Sequence, residues 1–203
     1  SLPSPWRADF TAFAAFAADG QTYLDSAATA QKPQAVLDAL LGYYAGGAAN
    51  VHRAQHAAGE RATLAFEGAR QKVAQWLNAE SAEQIVFTRG STESLNLLAY
   101  GLEHLFAAGD EIAISALEHH ANLLPWQQAA RLSGAELAIL QPDGAGRLHA
   151  SDLAALLTPR TRVFALTACA NASGERPPYE ALLAQAAQAG ALNQGGHQLA
   201  AEA

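Results

Sequence analysis

From residue 84 onward, short apolar runs alternate with longer stretches whose apolar residues recur at helical spacing. Gln84–Thr88, Glu111–Ser115, Glu136–Leu140 and Arg162–Thr167 read as strands. Thr92–Leu105, Leu124–Leu132, Ser151–Leu157 with Ser151 as its cap, and Pro178–Ala189 read as helices. Four β-then-α units predict a parallel sheet covered by helices. Ligands on such sheets gather at the carboxyl ends of the strands, so the residues just after each strand are the place to look for chemistry. Before residue 84 the pattern is helical. Trp6, Phe10, Phe13 and Phe16 mark a short amphipathic helix, Pro33 opens another through Tyr44, and a long one covers Glu60 to Leu77. Between them, Thr22–Leu24 reads as extended and enters a small-residue turn at Asp25–Thr29, and Gly46-Gly47 begins a polar loop carrying Asn50, Val51, His52, Arg53 and His56.

Composition narrows the function classes. Half of the 203 residues are hydrophobic and 15% are charged, enough for a sizeable core, and 50 are alanine, which favours helices without adding a tandem repeat. The formal charge of −7 provides no basic footprint for a nucleic-acid backbone, so no nucleic-acid partner is expected. No apolar run of about 18 residues suggests a membrane span, and no signal-peptide hydrophobic region follows Ser1, so no membrane association is expected. The single cysteine, Cys169, excludes an internal disulfide and a cysteine-rich metal cluster, and a cytoplasmic location is the default. Lysine is confined to Lys32 and Lys72.

Three strand ends carry chemistry-bearing side chains. Thr88-Arg-Gly-Ser-Thr-Glu93 combines a glycine that permits a tight backbone, the hydroxyls of Ser91 and Thr92, and a helix start whose unpaired N–H groups suit an anion. It reads either as a phosphate cup or as an ordinary helix cap, and it lacks the lysine of a P-loop. Glu118-His-His-Ala-Asn122 offers an imidazole that could stack on a planar cofactor or move a proton; the adjacent histidines have no metal-site spacing, so no metal is expected. Asn171-Ala-Ser-Gly174 presents an amide for a ligand or for an Asx turn. Cys169 ends an apolar run and reads as a packed residue rather than a nucleophile. A Ser-His-Asp hydrolase would need a Gly-x-Ser-x-Gly elbow, which the chain lacks.

Taken together, Tyr23–Pro33, Asn50–Arg53, Phe87–Asn96, Glu118–Trp126 and Asn171–Gly174 resemble, in order and separation, the group II cysteine desulfurases of the selenocysteine lyase-like branch. These belong to the class V aminotransferases among fold type I pyridoxal-phosphate enzymes. The resemblance implies an α/β fold type I large domain with a mostly parallel sheet flanked by helices. Residues 1–83 would supply helices and substrate-side loops and 84–192 a cofactor-binding half-domain. It further implies that Ser91 and Thr92 hold the phosphate of pyridoxal 5′-phosphate (PLP), that His119 stacks on the pyridine ring and assists proton transfer, and that Asn171 lies beside the ring oxygen or the substrate. Ala27, Ala28, Asn50, His52 and Arg53 would border the substrate or a subunit interface. The implied reaction converts L-cysteine, or L-selenocysteine, to L-alanine. Sulfur leaves as an enzyme persulfide for an acceptor protein in iron–sulfur or sulfur-cofactor assembly, and the enzyme is a homodimer.

The resemblance stops near Leu192. There the family pattern continues a strand into an Asp and a nearby Gln, whereas this chain reads Asn193-Gln-Gly-Gly-His-Gln198 and ends at Ala203, a divergent tail over 193–203. Neither Lys32 nor Lys72 matches the Schiff-base lysine, and Cys169 does not match the persulfide cysteine. The fold is therefore expected to be incomplete at its C-terminus, and the isolated 203-residue chain to be inactive in sulfur transfer. Two readings follow: the N-terminal part of a full desulfurase, or a shortened noncatalytic homologue acting as a binding or interaction module.

Overall fold

The computed structural model describes residues 4–26, 28–53 and 55–195. The chain divides into two compact units, the first ending at Val86 and the second beginning at Phe87.

The second unit is a four-stranded parallel sheet with helices on both faces, as its alternating pattern requires. Its elements are α4 (Ser91–Leu102), β1 (Glu111–Ser115), α5 (His120–Ser133), β2 (Glu136–Leu140), α6 (Ala150–Leu156), β3 (Thr161–Leu166), α7 (Tyr179–Gln188) and β4 (Leu192–Gly195). Successive side chains of a strand point to opposite faces, and both faces are apolar here. Ile112, Ile114, Val163 and Ala165 pack under Ala99 of α4 and Trp126, Ala129 and Ala130 of α5. Ala113, Phe164 and Leu166 pack under Leu153 of α6 and Leu182 and Ala186 of α7.

The strand order is β2-β1-β3-β4, with every pair parallel. The chain therefore leaves β1 toward β2 on one side, through α5 on one face, and returns past β1 to β3 on the other side, through α6 on the opposite face. This reversal makes the carboxyl ends of β1 and β3 a topological switch point, where open parallel sheets leave a crevice for ligands. At the amino ends of the same strands, the buried Glu111 carboxylate accepts hydrogen bonds from Thr158 Oγ1 at 2.7 Å and Thr161 Oγ1 at 3.2 Å, and pairs with the Arg160 guanidinium.

Three elements differ from the sequence pattern. Gln84–Thr88 is not a strand: a 3₁₀ turn covers Ala82–Gln84, and the chain after it is extended without a ladder. An extended segment needs a neighbouring strand to satisfy its N–H and C=O groups, and none among the described residues pairs with it. Helix α5 begins at His120 rather than Leu124, because His119 caps it and Pro125 falls inside it. Helix α6 is capped at His149, so Ser151 lies within the helix and is not its cap. Strand β4, whose Leu192–Gly195 pair with Val163–Leu166, runs into the segment that departs from the family pattern.

The first unit consists of α1 (Thr11–Ala18), α2 (Gln34–Ala45) and α3 (Ala57–Trp76) with their loops. A short 3₁₀ turn at Arg7–Asp9 replaces the first turn expected of the opening helix. Neither α1 nor α2 contains a buried residue. Among the described residues no helix is long and apolar enough to cross a membrane.

Candidate functional site

The start of α4 is shaped by Gly90, whose φ of 152° is a conformation that side-chain-bearing residues rarely adopt. Its carbonyl accepts the N–H of Ser94 at 3.1 Å, while Thr88 Oγ1 and Ser94 Oγ hydrogen-bond to each other at 2.7 Å. Glu93 reaches back to the backbone N–H of Arg89 at 2.6 Å and to its guanidinium at 2.9 Å. The Arg89 partnership holds the Glu93 carboxyl below its ordinary range and, reciprocally, raises Arg89. These bonds brace the turn ahead of α4 through Thr88, Ser94 and Glu93. Among the described residues no hydrogen bond engages the hydroxyls of Ser91 and Thr92 or the N–H groups of residues 91–93. The two hydroxyls singled out in the sequence are thus not the helix caps; they remain exposed, beside the positive end of the helix dipole.

His119 sits at the end of β1 as the N-cap of α5, and its Nδ1 accepts the N–H of Ala121 at 3.1 Å. With Nδ1 as acceptor, the neutral imidazole carries its proton on Nε2. The ring is exposed. Thr92, Asn96, His119, His120 and Gln128 line one cleft of about 690 Å³ between α4 and α5, a size usual for small-molecule sites.

Asn171 follows β3 in an exposed turn. Its side chain makes no hydrogen bond among the described residues, so the Asx-turn role is not taken up. Neither Ser91 nor Asn171 lines the cleft that Thr92 and His119 share. Cys169 is a free thiol, half-buried rather than packed away, and its carbonyl accepts the Thr167 hydroxyl at 2.9 Å.

The substrate-side residues lie in the first unit. Ala27 falls outside the described residues. Ala28 is exposed in a turn that Asp25 closes through its carbonyl, and Tyr23 Oη braces that turn by donating to the carbonyls of Asp25 and Thr29. Asn50 and Arg53 are exposed. His52 between them is held at φ 68°, its N–H bonded to Thr63 Oγ1 at 2.9 Å and its Nε2 3.0 Å from Glu67 Oε1. Its conformation is set by α3, which steers the loop sharply beside Arg53.

The sequence reading missed a buried network beneath His119. Glu118 Oε1 accepts Ser115 Oγ at 2.7 Å and the Thr167 N–H at 2.6 Å, while Oε2 accepts Asn122 Nδ2 at 2.7 Å. Asn122 is fully buried, and its Oδ1 accepts Trp126 Nε1 at 3.0 Å. Burial pushes the Glu118 carboxyl above its ordinary range, against the lowering effect of Asn122, Ser115 and Thr167. The i, i+4 spacing of Glu118, Asn122 and Trp126 was the available signal.

The second unit is thus an α/β fold whose α4 start has N–H groups unengaged among the described residues and exposed hydroxyls and whose α5 start carries an exposed imidazole, donors of a kind that suits an anionic group and a planar ring. Residues 22–193 match the aminotransferase class-V family, and the chain belongs to it. It is 62% identical over 190 residues to a probable cysteine desulfurase of Pseudomonas putida, covering 94% of this chain and 47% of that protein. A probable cysteine desulfurase of Pseudomonas aeruginosa is 59% identical over 191 residues, covering 94% and 48%. Among solved structures, the cysteine desulfurase CsdA (S-sulfonic acid) from Escherichia coli superposes with a TM-score of 0.81 at 41% identity, covering 96% of this chain and 48% of that one. The chain spans about half the length of these relatives. The cofactor of this family is PLP, and the donors present fit it: first-turn N–H groups and hydroxyls for a phosphate, and an exposed imidazole for a ring.

Proposed function

We propose that these residues form the cofactor-phosphate and ring-contact part of a cysteine desulfurase of the group II, selenocysteine lyase-like kind, converting L-cysteine to L-alanine. The observation that carries this reading is that Thr92, in the first turn of α4, and His119, the N-cap of α5 in the segment after β1, line one cleft. PLP, when bound, supplies the electron sink that makes the substrate's carbon–sulfur bond labile.

This chain's residues bind and orient. The hydroxyls of Ser91 and Thr92, with the N–H groups of the first turn of α4, donate to phosphate oxygens, and the helix dipole adds to the attraction. His119 would stack on the pyridine ring and assist proton transfer, with a proton held at Nε2 because its Nδ1 accepts the Ala121 N–H. Asn171 offers its amide to the ring oxygen or the substrate. Ala27, Ala28, Asn50, His52 and Arg53 border the substrate or the neighbouring subunit.

In this reading the substrate's sulfur would pass to a cysteine thiolate of the full-length enzyme other than Cys169, an S–S bond forming as the carbon–sulfur bond breaks, and the resulting persulfide would serve an acceptor protein in iron–sulfur or other sulfur-cofactor assembly. The protein acts as a cytoplasmic homodimer. The lone Cys169 supports a reducing compartment, and exposed Leu40, Leu41 and Tyr44 on α2 support a subunit contact. The test is the full-length protein, purified with PLP and given L-cysteine. Alanine release with retention of cofactor absorbance is expected; a protein that binds no PLP and releases no alanine overturns the reading. L-Selenocysteine as a competing substrate tests the selenocysteine lyase-like assignment.

A further inference from the structure

Two turns leave the switch point of the sheet, one after β1 carrying His119 and one after β3 carrying Asn171. A single carboxylate ties them together. Glu118 Oε1 takes the Thr167 N–H from the β3 side at 2.6 Å and Ser115 Oγ from the β1 side at 2.7 Å, and Oε2 takes Asn122 Nδ2 from α5 at 2.7 Å. The flanking groups are themselves fixed. Ser115 Oγ also accepts the Leu117 N–H at 3.2 Å, Thr167 Oγ1 donates to the Cys169 carbonyl at 2.9 Å, and Asn122 Oδ1 is held by Trp126 Nε1. Ser115, Asn122 and Thr167 are each no more than 2% exposed and Glu118 is half-buried, so the donor ends of these bonds are shielded from water.

We propose that Glu118 is a positioning residue for the cofactor site, its carboxylate locking the His119 turn to the Thr167–Asn171 turn so that imidazole and amide keep a set spacing. The inference rests on the functional reading above for what the two turns hold. Filling this position with an apolar side chain would avoid the cost of burying a carboxylate, which burial registers by raising the Glu118 pKa. What the carboxylate adds is three directed bonds from three different chain segments.

The donor–acceptor arithmetic is strict. Asn122 must turn Oδ1 to Trp126, so it can only donate to Glu118, and Ser115 and Thr167 also donate to Glu118. In Glu118→Gln, every orientation of the introduced amide and of the Asn122 amide leaves a donor facing a donor. Adding Asn122→Asp reverses the polarity of one bond and restores the full set: the introduced amide donates to the introduced carboxylate, whose other oxygen still accepts from Trp126.

The experiment compares full-length wild type, Glu118→Gln and Glu118→Gln/Asn122→Asp by PLP titration, by the visible circular dichroism of the bound cofactor, and by thermal melting. Expected are an altered dichroism band and roughly tenfold weaker PLP binding in the folded single variant, the loss of one charge-assisted buried bond, with recovery of both in the double variant. A single variant that unfolds while the double folds and matches wild type also supports the proposal. Wild-type dichroism and affinity in the single variant overturn it, as does a double variant that fails to recover or to fold. Wild type that binds no PLP instead sinks the functional reading, and the inference falls with it.

Discussion

The two ends of the β1–β3 strand pair are both closed by a glutamate, and they are built on different principles. At the amino end, Glu111 is 7% exposed at its side chain and is matched by a full charge, Arg160, together with Thr158 and Thr161. At the carboxyl end, Glu118 is matched by neutral donors alone, Ser115, Asn122 and the Thr167 N–H. A cation compensates the cost of burying a carboxylate more fully than neutral dipoles do. The amino end is thus the arrangement of a structural clamp. The carboxyl end accepts a less favourable carboxylate where the functional side chains leave the sheet.

That contrast can be broken by substitution. Removing the Glu111 carboxylate as Glu111→Ala should cost about 2 kcal/mol of stability, below the usual figure for a fully buried pair because the Arg160 side chain is half exposed. PLP affinity should stay at its wild-type value, as measured by denaturant unfolding and PLP titration of the full-length protein. A loss of affinity there would erase the distinction between the two ends. Gly90→Ala stands between the cases. Nothing lies within 4 Å of the added methyl group, so the cost is strain at φ 152°, about 1 to 2 kcal/mol, and it should appear in both stability and phosphate affinity.

Thr92→Ala sharpens the carboxyl-end role from the other side. Its hydroxyl makes no hydrogen bond among the described residues, so stability should hold while PLP affinity drops about fivefold, the worth of one modest hydrogen bond. Equal affinity in the variant would remove Thr92 from the cup. The smallest effect is expected far from either end, at the turn Asp143–Arg147. The Asp143 carboxyl is held down to about 2 by the Arg147 N–H, then the His149 ring, with the Ala145 N–H assisting. A lowered pKa means that its stabilisation is complete above the ordinary carboxylate range and is lost as pH falls through about 2. The difference in unfolding free energy between wild type and Asp143→Ala should accordingly shrink from pH 5 toward pH 2, and a difference independent of pH would refute the assignment.

Much of this architecture is legible along the chain because it is local. The strands at Glu111–Ser115 and Glu136–Leu140 coincide with their apolar runs, and β1, buried along its whole length, is a strand that needs no alternation. The start of α5 was hidden because Pro125 and the apolar periodicity point to Leu124, whereas the cap that sets it is the His119 side chain. With the helix start misplaced by four residues, the common face of Glu118, Asn122 and Trp126 could not be seen. Likewise Ile85–Phe87 carries strand-forming residues, yet strand formation depends on a ladder partner rather than on propensity.

By itself the sequence determined the α/β alternation, the residues at each strand end and the family motifs, because helix and strand periodicities and turn chemistry act over a few residues. Only the tertiary structure decided that β3 lies against β1 on the side opposite β2, which makes their carboxyl ends the switch point. It also decided that Glu118 bonds to Thr167, 49 residues away. Strand adjacency in a parallel sheet is chosen by how both apolar faces are covered at once, and no local pattern of residues encodes that choice.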